Sequence, residues 1–268
     1  MLKQRVLTAI LLVAVLAGVM LGLPPIGTVV LLTLLILVGA WEWAGFLGNG
    51  SPAARAAYTG IVALALAAAL WLHSTIPGFV TVTMGVAMAW WFGAFLWICF
   101  APARVPRIGA ALAGLFALVP CWLGLVYVTL ATNSTLWVMF TLLLVWAADT
   151  GAFFAGRWFG RVPLAPRVSP KKTWEGVLGG LAVSGLVAFL AATYLFTVDV
   201  WPFTSTCVAV AAISIVGDLT ESMLKRAAGL KDSGTFFPGH GGVLDRIDSV
   251  TAAAPALVFA LLGLGVLS

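Results

Sequence analysis

The sequence predicts an all-α, polytopic integral membrane protein with about nine transmembrane helices, its N-terminus cytoplasmic and its C-terminus outside. Apolar residues make up 62% of the 268 positions and charged residues only 9%, whereas soluble domains of this size carry about 25% charge. Runs of roughly 20 apolar residues, each long enough to cross about 30 Å of hydrocarbon, follow one another along the chain. All 14 Lys and Arg residues fall on one side of the alternation those runs define. A single water-soluble core is excluded.

Taken in order, the runs lie between Pro, Gly and charged breaks. The first, 6–23, follows Lys3 and Arg5. It resembles a secretory leader, but it is long for one, no small-residue cleavage site follows, and further spans come at once, so it reads as an uncleaved span. The next are 26–47, 56–72, 79–100, 108–130 and 136–155. Then come 177–196, the short 203–216, expected to extend as a helix through 218–226, and 250–267.

The basic residues test this count independently. Arg55 lies between the second and third runs, and Arg104 and Arg107 between the fourth and fifth. Arg157, Arg161, Arg167, Lys171 and Lys172 follow the sixth; Lys225, Arg226, Lys231 and Arg246 follow the eighth. The opposite loops, around Pro24, His73, Asn133 and Asp199, carry none. The charged side is therefore expected to be cytoplasmic. Cys99, Cys121 and Cys207 all sit in apolar runs without paired spacing and read as small buried hydrophobes.

Polarity divides the chain. Residues 1–148 contain one acid, Glu42, and read as transmembrane scaffold; the other eight acids lie in 149–268, where the chemistry is expected. Two cytoplasmic segments there are unusually polar, 156–176 and 217–249. Asp218, Glu221 and Ser222 have i, i+3, i+4 spacing, so on a helix they share a face, and Lys225 joins them at i+7. Asp245 and Asp248 are again three apart, just before the last run. Oxygen ligands from two helices meeting at one point suit a hard cation such as magnesium; surface ion pairing with Lys225, Arg226 and Arg246 is the plainer alternative.

Lys171-Lys172, Lys225-Arg226, Lys231 and Arg246 flank these acids. Bases beside a carboxylate-held divalent ion form a phosphate-handling set. A lipid-attracted polybasic patch is the alternative, but it needs no acids mixed in. Gly239, Gly241 and Gly242 surround His240 and allow left-handed backbone and an anion-binding nest of N–H groups.

The second segment reads Ser222-x-x-Lys225-Arg226, four residues, Lys231-Asp232, then His240-Gly241-Gly242-x-x-Asp245-Arg246-x-Asp248. This 27-residue pattern resembles, at every fixed position, the signature of the phosphatidate cytidylyltransferases, also called CDP-diacylglycerol synthases. The earlier run Ser169-Pro170-Lys171-Lys172-Thr173-Trp174-Glu175-Gly176 resembles the family's second motif. The motif resemblance covers roughly 149–248; the first half matches in hydropathy and length alone.

The resemblance implies a magnesium-dependent transfer of CMP from CTP to phosphatidic acid, with pyrophosphate released. It implies that Asp218 and Asp245 hold the divalent cation, with Glu221 or Asp248 as further ligands, and that a second, monovalent cation sits at the same centre. Lys225, Arg226 and Arg246 would neutralise phosphates. Ser169, Lys171, Lys172 and Thr173 would clamp the triphosphate, and Ser222, Lys231, His240, Gly241 and Gly242 would join the substrate-binding set. Asp149 would line the cavity. Membrane lipid is the expected surrounding, no nucleic-acid partner is expected, and a homodimer is left open. The short termini and the lack of a targeting extension suggest a bacterial inner membrane, with the site expected on its cytoplasmic side.

An ion-coupled transporter with a cytoplasmic-side acidic site is the rival from another class. Transporters place ionisable groups near the midplane and often show two related halves; here the acids cluster at one interface. The CDP-alcohol phosphotransferases need an Asp-x-x-Asp-Gly-x-x-Ala-Arg run, which is absent.

Overall fold

The structure is a computed structural model that describes residue 14 and residues 16–48, 50–236 and 241–267. Among the described residues, eight helices are long and apolar enough to cross a membrane. They are α1 (Pro25–Trp43, continued by a 3₁₀ turn at Ala44–Leu47), α2 (Pro52–Thr75), α3 (Phe79–Phe100) and α4 (Arg107–Ala131). Then come α5 (Leu136–Phe159), α6 (Trp174–Tyr194), α7 (Val200–Ala227) and α8 (Leu244–Gly263). The chain is a multi-pass α-helical membrane protein. The expected first run, 6–23, lies largely outside the described residues; its 16–22 portion is helical.

Local chemistry explains the ends. Pro25 and Pro52 stand in the first turns of their helices, where the missing N–H costs nothing. The Ser51 hydroxyl accepts from Ala54 N at 3.2 Å and caps α2. Gly48 and Gly78, at φ 72° and 76°, turn the chain where a side chain would be strained.

Two boundaries matter for function. The eighth run extends as expected, because α7 continues without a break to Ala227 and carries Asp218, Glu221, Ser222 and Lys225. The last helix, in contrast, starts at Leu244 rather than near 250. Asp245 and Asp248 therefore lie within its first turns, not ahead of it.

The fold is not wholly helical. A two-stranded antiparallel hairpin, β1 (Pro163–Ala165) and β2 (Ser169–Thr173), joins α5 to α6, pairing Pro163 with Thr173 and Ala165 with Ser169. The backbone amides of Arg161 and Val162 donate to the Glu175 carboxylate at 3.1–3.3 Å, fastening the hairpin to the start of α6. The Thr173 hydroxyl accepts from Gly176 N at 3.2 Å and caps that helix.

Burial sorts the helices. The most apolar stretch of α4 is 67% buried and that of α8 61%, against 22% for α2, so α4 and α8 form the centre. The outer helices expose large apolar side chains such as Leu64, Val82 and Phe92, as a hydrocarbon solvent requires. Cys121 and Cys207 are buried as expected, but Cys99 is exposed on α3. At the end remote from the charges, Trp137 stacks on Phe196 at 3.9 Å, with Phe140 and Phe203 against them.

Helices α5 and α6 approach closely through glycines. A Cβ on Gly180 would lie 2.7 Å from Ala148 O, one on Gly151 2.7 Å from Gly179 O, and one on Gly179 would overlap Ala155. Small residues are what permit such approach between membrane helices. Gly217 does the same for α7 and α8, where a Cβ would lie 2.7 Å from Asp248 O. That contact brings Asp218 beside Asp248.

Candidate active site

The helix ends that carry charge, from α1, α5, α6, α7 and α8, converge with the hairpin at one end of the bundle. Two carboxylate–lysine clusters form there, centred on Asp218 and Lys225, about two helical turns apart along α7.

The first opens into a cavity of about 560 Å³ between α5, α6, α7 and the hairpin, within the range of small-molecule sites. Its polar wall is Asp149, Arg157, Ser169, Lys171, Lys172, Thr173 and Asp218; Phe153, Leu181 and Ile215 give it an apolar side. Lys172 forms an ion pair with Asp218 Oδ2, and Ser222 Oγ donates to Asp218 Oδ1 at 3.3 Å. The pair is accessible, with side chains 28% and 24% exposed. Asp149 is within electrostatic range of both partners. The cavity is therefore amphiphilic, with a displaceable charge pair in its wall.

The second cluster is buried. Lys225 Nζ lies 2.7 Å from Asp245 Oδ1 and 3.0 Å from Glu221 Oε1, with the Lys225 and Asp245 side chains 11% and 9% exposed. Asp245 Oδ2 accepts from Ser233 N at 2.9 Å, Ser233 Oγ at 2.9 Å and Gly242 N at 2.8 Å. Glu221 is 2% exposed, and among the described residues neither of its oxygens receives a well-directed hydrogen bond. Asp248 is within electrostatic range of Asp218, Glu221 and Lys225, so it links the two clusters.

These contacts bear on a cation. Among the described residues, no three His, Cys, Asp or Glu side chains converge closely enough to enclose a metal as they stand. The donor chemistry does fit a hard cation: Glu221 is buried, with Oε1 met by Lys225 and Oε2 without a partner among the described residues, and Asp218 and Asp248 lie within electrostatic range of it. Asp245 is the most heavily engaged of the four expected ligands, with one contact on Oδ1 and three on Oδ2, where Asp218 has one on each oxygen.

The expected substrate-binding residues divide. Ser169, Lys171, Lys172 and Thr173 line the cavity together with Asp218 and Asp149. Thr173 also spends its hydroxyl on the α6 cap. Arg226, Lys231 and Arg246 are exposed and do not line the cavity. Gly241, at φ 78°, needs glycine both for its backbone and because a Cβ would overlap the Asp245 carboxylate. Gly242 turns its N–H onto Asp245, so the expected anion nest holds the protein's own carboxylate. His240 and Gly239 lie outside the described residues.

Sequence reasoning passed over two residues, Arg157, which lines the cavity, and Glu42. Glu42 stands in the last turn of α1 at 4% exposure, yet it accepts from Val243 N at 3.1 Å and Leu244 N at 2.8 Å and shares with Asp245 the single proton of the Ser233 hydroxyl, 3.1 Å away. These partners are 191 to 202 residues away, so no local spacing announces them. The available signal was energetic: a lone acid in an apolar run is costly unless something satisfies it.

Comparison with known proteins agrees with this geometry. A model of the cytidylyltransferase family matches residues 3–263. The phosphatidate cytidylyltransferase of Pseudomonas aeruginosa is 40% identical over 283 residues, covering 98% of this chain and 97% of the relative. That of Haemophilus influenzae is 37% identical over 280 residues, covering 95% and 96%. A third, from Synechocystis, is 48% identical over 120 residues, 43% of this chain and 39% of the relative. Likeness thus extends well beyond the motif segment, through the half that the sequence related only by hydropathy. The chain belongs to the cytidylyltransferase family.

Proposed function

We propose that this protein is a CTP:phosphatidate cytidylyltransferase of a bacterial inner membrane, with nine spans, its N-terminus and active site on the cytoplasmic side and its C-terminus outside. The observation that carries the reading is the amphiphilic cavity whose polar wall joins Lys171 and Lys172 of the hairpin to Asp218 of α7. Relatives matching this chain nearly end to end bear the name of that activity. Every Lys and Arg on one side of the spans supports the orientation.

The chemistry needs little covalent help. A phosphate monoester has its second pKa near ~6, so the lipid phosphate is largely a dianion at neutral pH. One of its oxygens attacks the α-phosphorus of CTP. The bond from that phosphorus to the bridging oxygen breaks, and pyrophosphate leaves with the electron pair. The enzyme supplies alignment and charge neutralisation, since two polyanions must meet.

Lys171 and Lys172 face the triphosphate, and Ser169 donates from the same strand. Lys172 is held ready by Asp218 and exchanges that partner for a phosphate oxygen. The apolar side of the cavity, Phe153, Leu181 and Ile215, receives the glycerol end of the lipid. Asp218, with Glu221 and Asp248 and with Asp245 through its less crowded Oδ1, would hold magnesium, which when bound neutralises charge on the phosphate oxygens. A monovalent cation at the same centre belongs to this reading.

The test is an assay of purified protein in detergent with CTP, phosphatidic acid and magnesium. It should yield CDP-diacylglycerol and pyrophosphate in equal amounts, and nothing when any one of the three is withheld. Absence of a liponucleotide under all these conditions would refute the assignment.

A further inference from the structure

Glu42 lies in the half of the chain read as scaffold, and the transfer chemistry itself gives it no task. Its surroundings are built for a carboxylate. Two amides at the start of α8, Val243 N and Leu244 N, donate to it, and the one proton of the Ser233 hydroxyl is shared between it and Asp245. Glycine stands on both sides of it, because a Cβ on Gly234 or Gly242 would overlap a Glu42 oxygen. Free amides at a helix N-terminus attract an anion, and Glu42 fills that role from within the protein.

Ser233 carries the consequence. Its hydroxyl lies 3.1 Å from Glu42 Oε2 and 2.9 Å from Asp245 Oδ2, while its backbone N–H reaches the same Asp245 oxygen at 2.9 Å. Glu42 and Asp245 therefore both hold Ser233 beside the start of α8. Asp245 in turn fixes Lys225 at 2.7 Å, and Lys225 faces Glu221. Glu42 does not line the cavity and touches none of its lysines.

We infer that Glu42 is a positioning residue for the transfer reaction. It clamps Ser233 against the start of α8 and thereby sets the Asp245–Lys225–Glu221 arrangement beside the cavity. The inference rests on the transferase reading of this site.

The experiment measures turnover per folded protein in detergent, below the melting temperature, for Glu42→Gln, Ser233→Ala and Lys172→Ala singly and in pairs. The amide of the Glu42→Gln variant keeps one acceptor oxygen but turns an NH₂ toward a backbone N–H. Glu42→Gln should lose about tenfold or more in kcat, the size expected from unpairing a charged hydrogen bond. Adding Ser233→Ala to it should lower turnover by less than the product of the single losses, because both act through one contact, whereas Lys172→Ala should multiply in full. Turnover of Glu42→Gln within twofold of wild type would overturn the inference. So would full multiplication with Ser233→Ala, the behaviour of two unconnected destabilising changes. If Glu42→Gln does not fold, Gly234→Ala serves: its methyl pushes on the same carboxylate from the outside, and it should lose severalfold in kcat, with an unchanged kcat overturning the inference. An inactive wild type would count against the proposed function, whereas an active wild type with an active Glu42→Gln counts against the clamp alone.

Discussion

Two lysine–aspartate pairs, each with one member on α7 (Asp218 and Lys225, about two turns apart), stand in opposite surroundings. Lys172–Asp218 borders the cavity with side chains about a quarter exposed, while Lys225–Asp245 is about a tenth exposed and joined by Ser233 and Gly242. The same two residue types thus serve two ends. A pair in contact with solvent is weakly held and exchanges partners easily. A buried pair, once desolvated, tolerates loss of neither member. The accessible pair is placed to meet substrate, and the buried pair to keep two helices and a loop in register.

That contrast can be broken or sharpened by substitution. The largest effect should come from Asp218→Asn, which should cut CDP-diacylglycerol formation on the order of 10³-fold, as loss of a charge-stabilising group does, while the melting temperature in detergent stays within a few degrees. A variant that turned over normally would remove Asp218 from the chemistry. Asp245→Asn should lose turnover as well, since Asp245 belongs to the set that would hold magnesium, and unlike Asp218→Asn it should also lose stability. It takes from Lys225 one of its two carboxylate partners, leaving Glu221, and should cost roughly 1.5–3 kcal/mol of stability, read as a clear fall in melting temperature; an unshifted melt would mean that the pair does not hold the fold. Lys172→Ala should lower kcat/KM for CTP by about 10- to 100-fold, the worth of one charged hydrogen bond. If only the response to phosphatidic acid changed, Lys172 would belong to the lipid instead. Arg226→Ala should change turnover by less than about threefold, because Arg226 is exposed beyond the cavity; a larger loss would return it to the catalytic set.

Much of this was legible in the sequence because bilayers impose a simple rule: an apolar run of sufficient length becomes a helix. The extension of α7 was readable from the i, i+3, i+4 spacing of Asp218, Glu221 and Ser222, and the grouping of Lys171 and Lys172 with an α7 carboxylate was readable from their opposite charges. The hairpin itself was not. Its strands of three and five residues are too short for a period to show, and Pro163, Pro166 and Pro170 mark only the absence of a helix. The start of α8 reads too late from sequence because Asp245, Arg246 and Asp248 look like loop. Their helix begins at Leu244 where a carboxylate from α1 meets its free amides. The glycines beside His240 suggested a nest for substrate phosphate, yet Gly242 serves Asp245. In each case the deciding partner is far away in the chain or in a different element, and local pattern carries no trace of it.

The central claim is that Asp218, at the mouth of the cavity, belongs to the chemistry rather than to the scaffold. The most direct measurement compares wild type with Asp218→Asn in one assay of CTP, phosphatidic acid and magnesium, each protein first shown to melt at the same temperature. The account predicts equal amounts of CDP-diacylglycerol and pyrophosphate from wild type and almost none from the variant. Equal product from both proteins would contradict it.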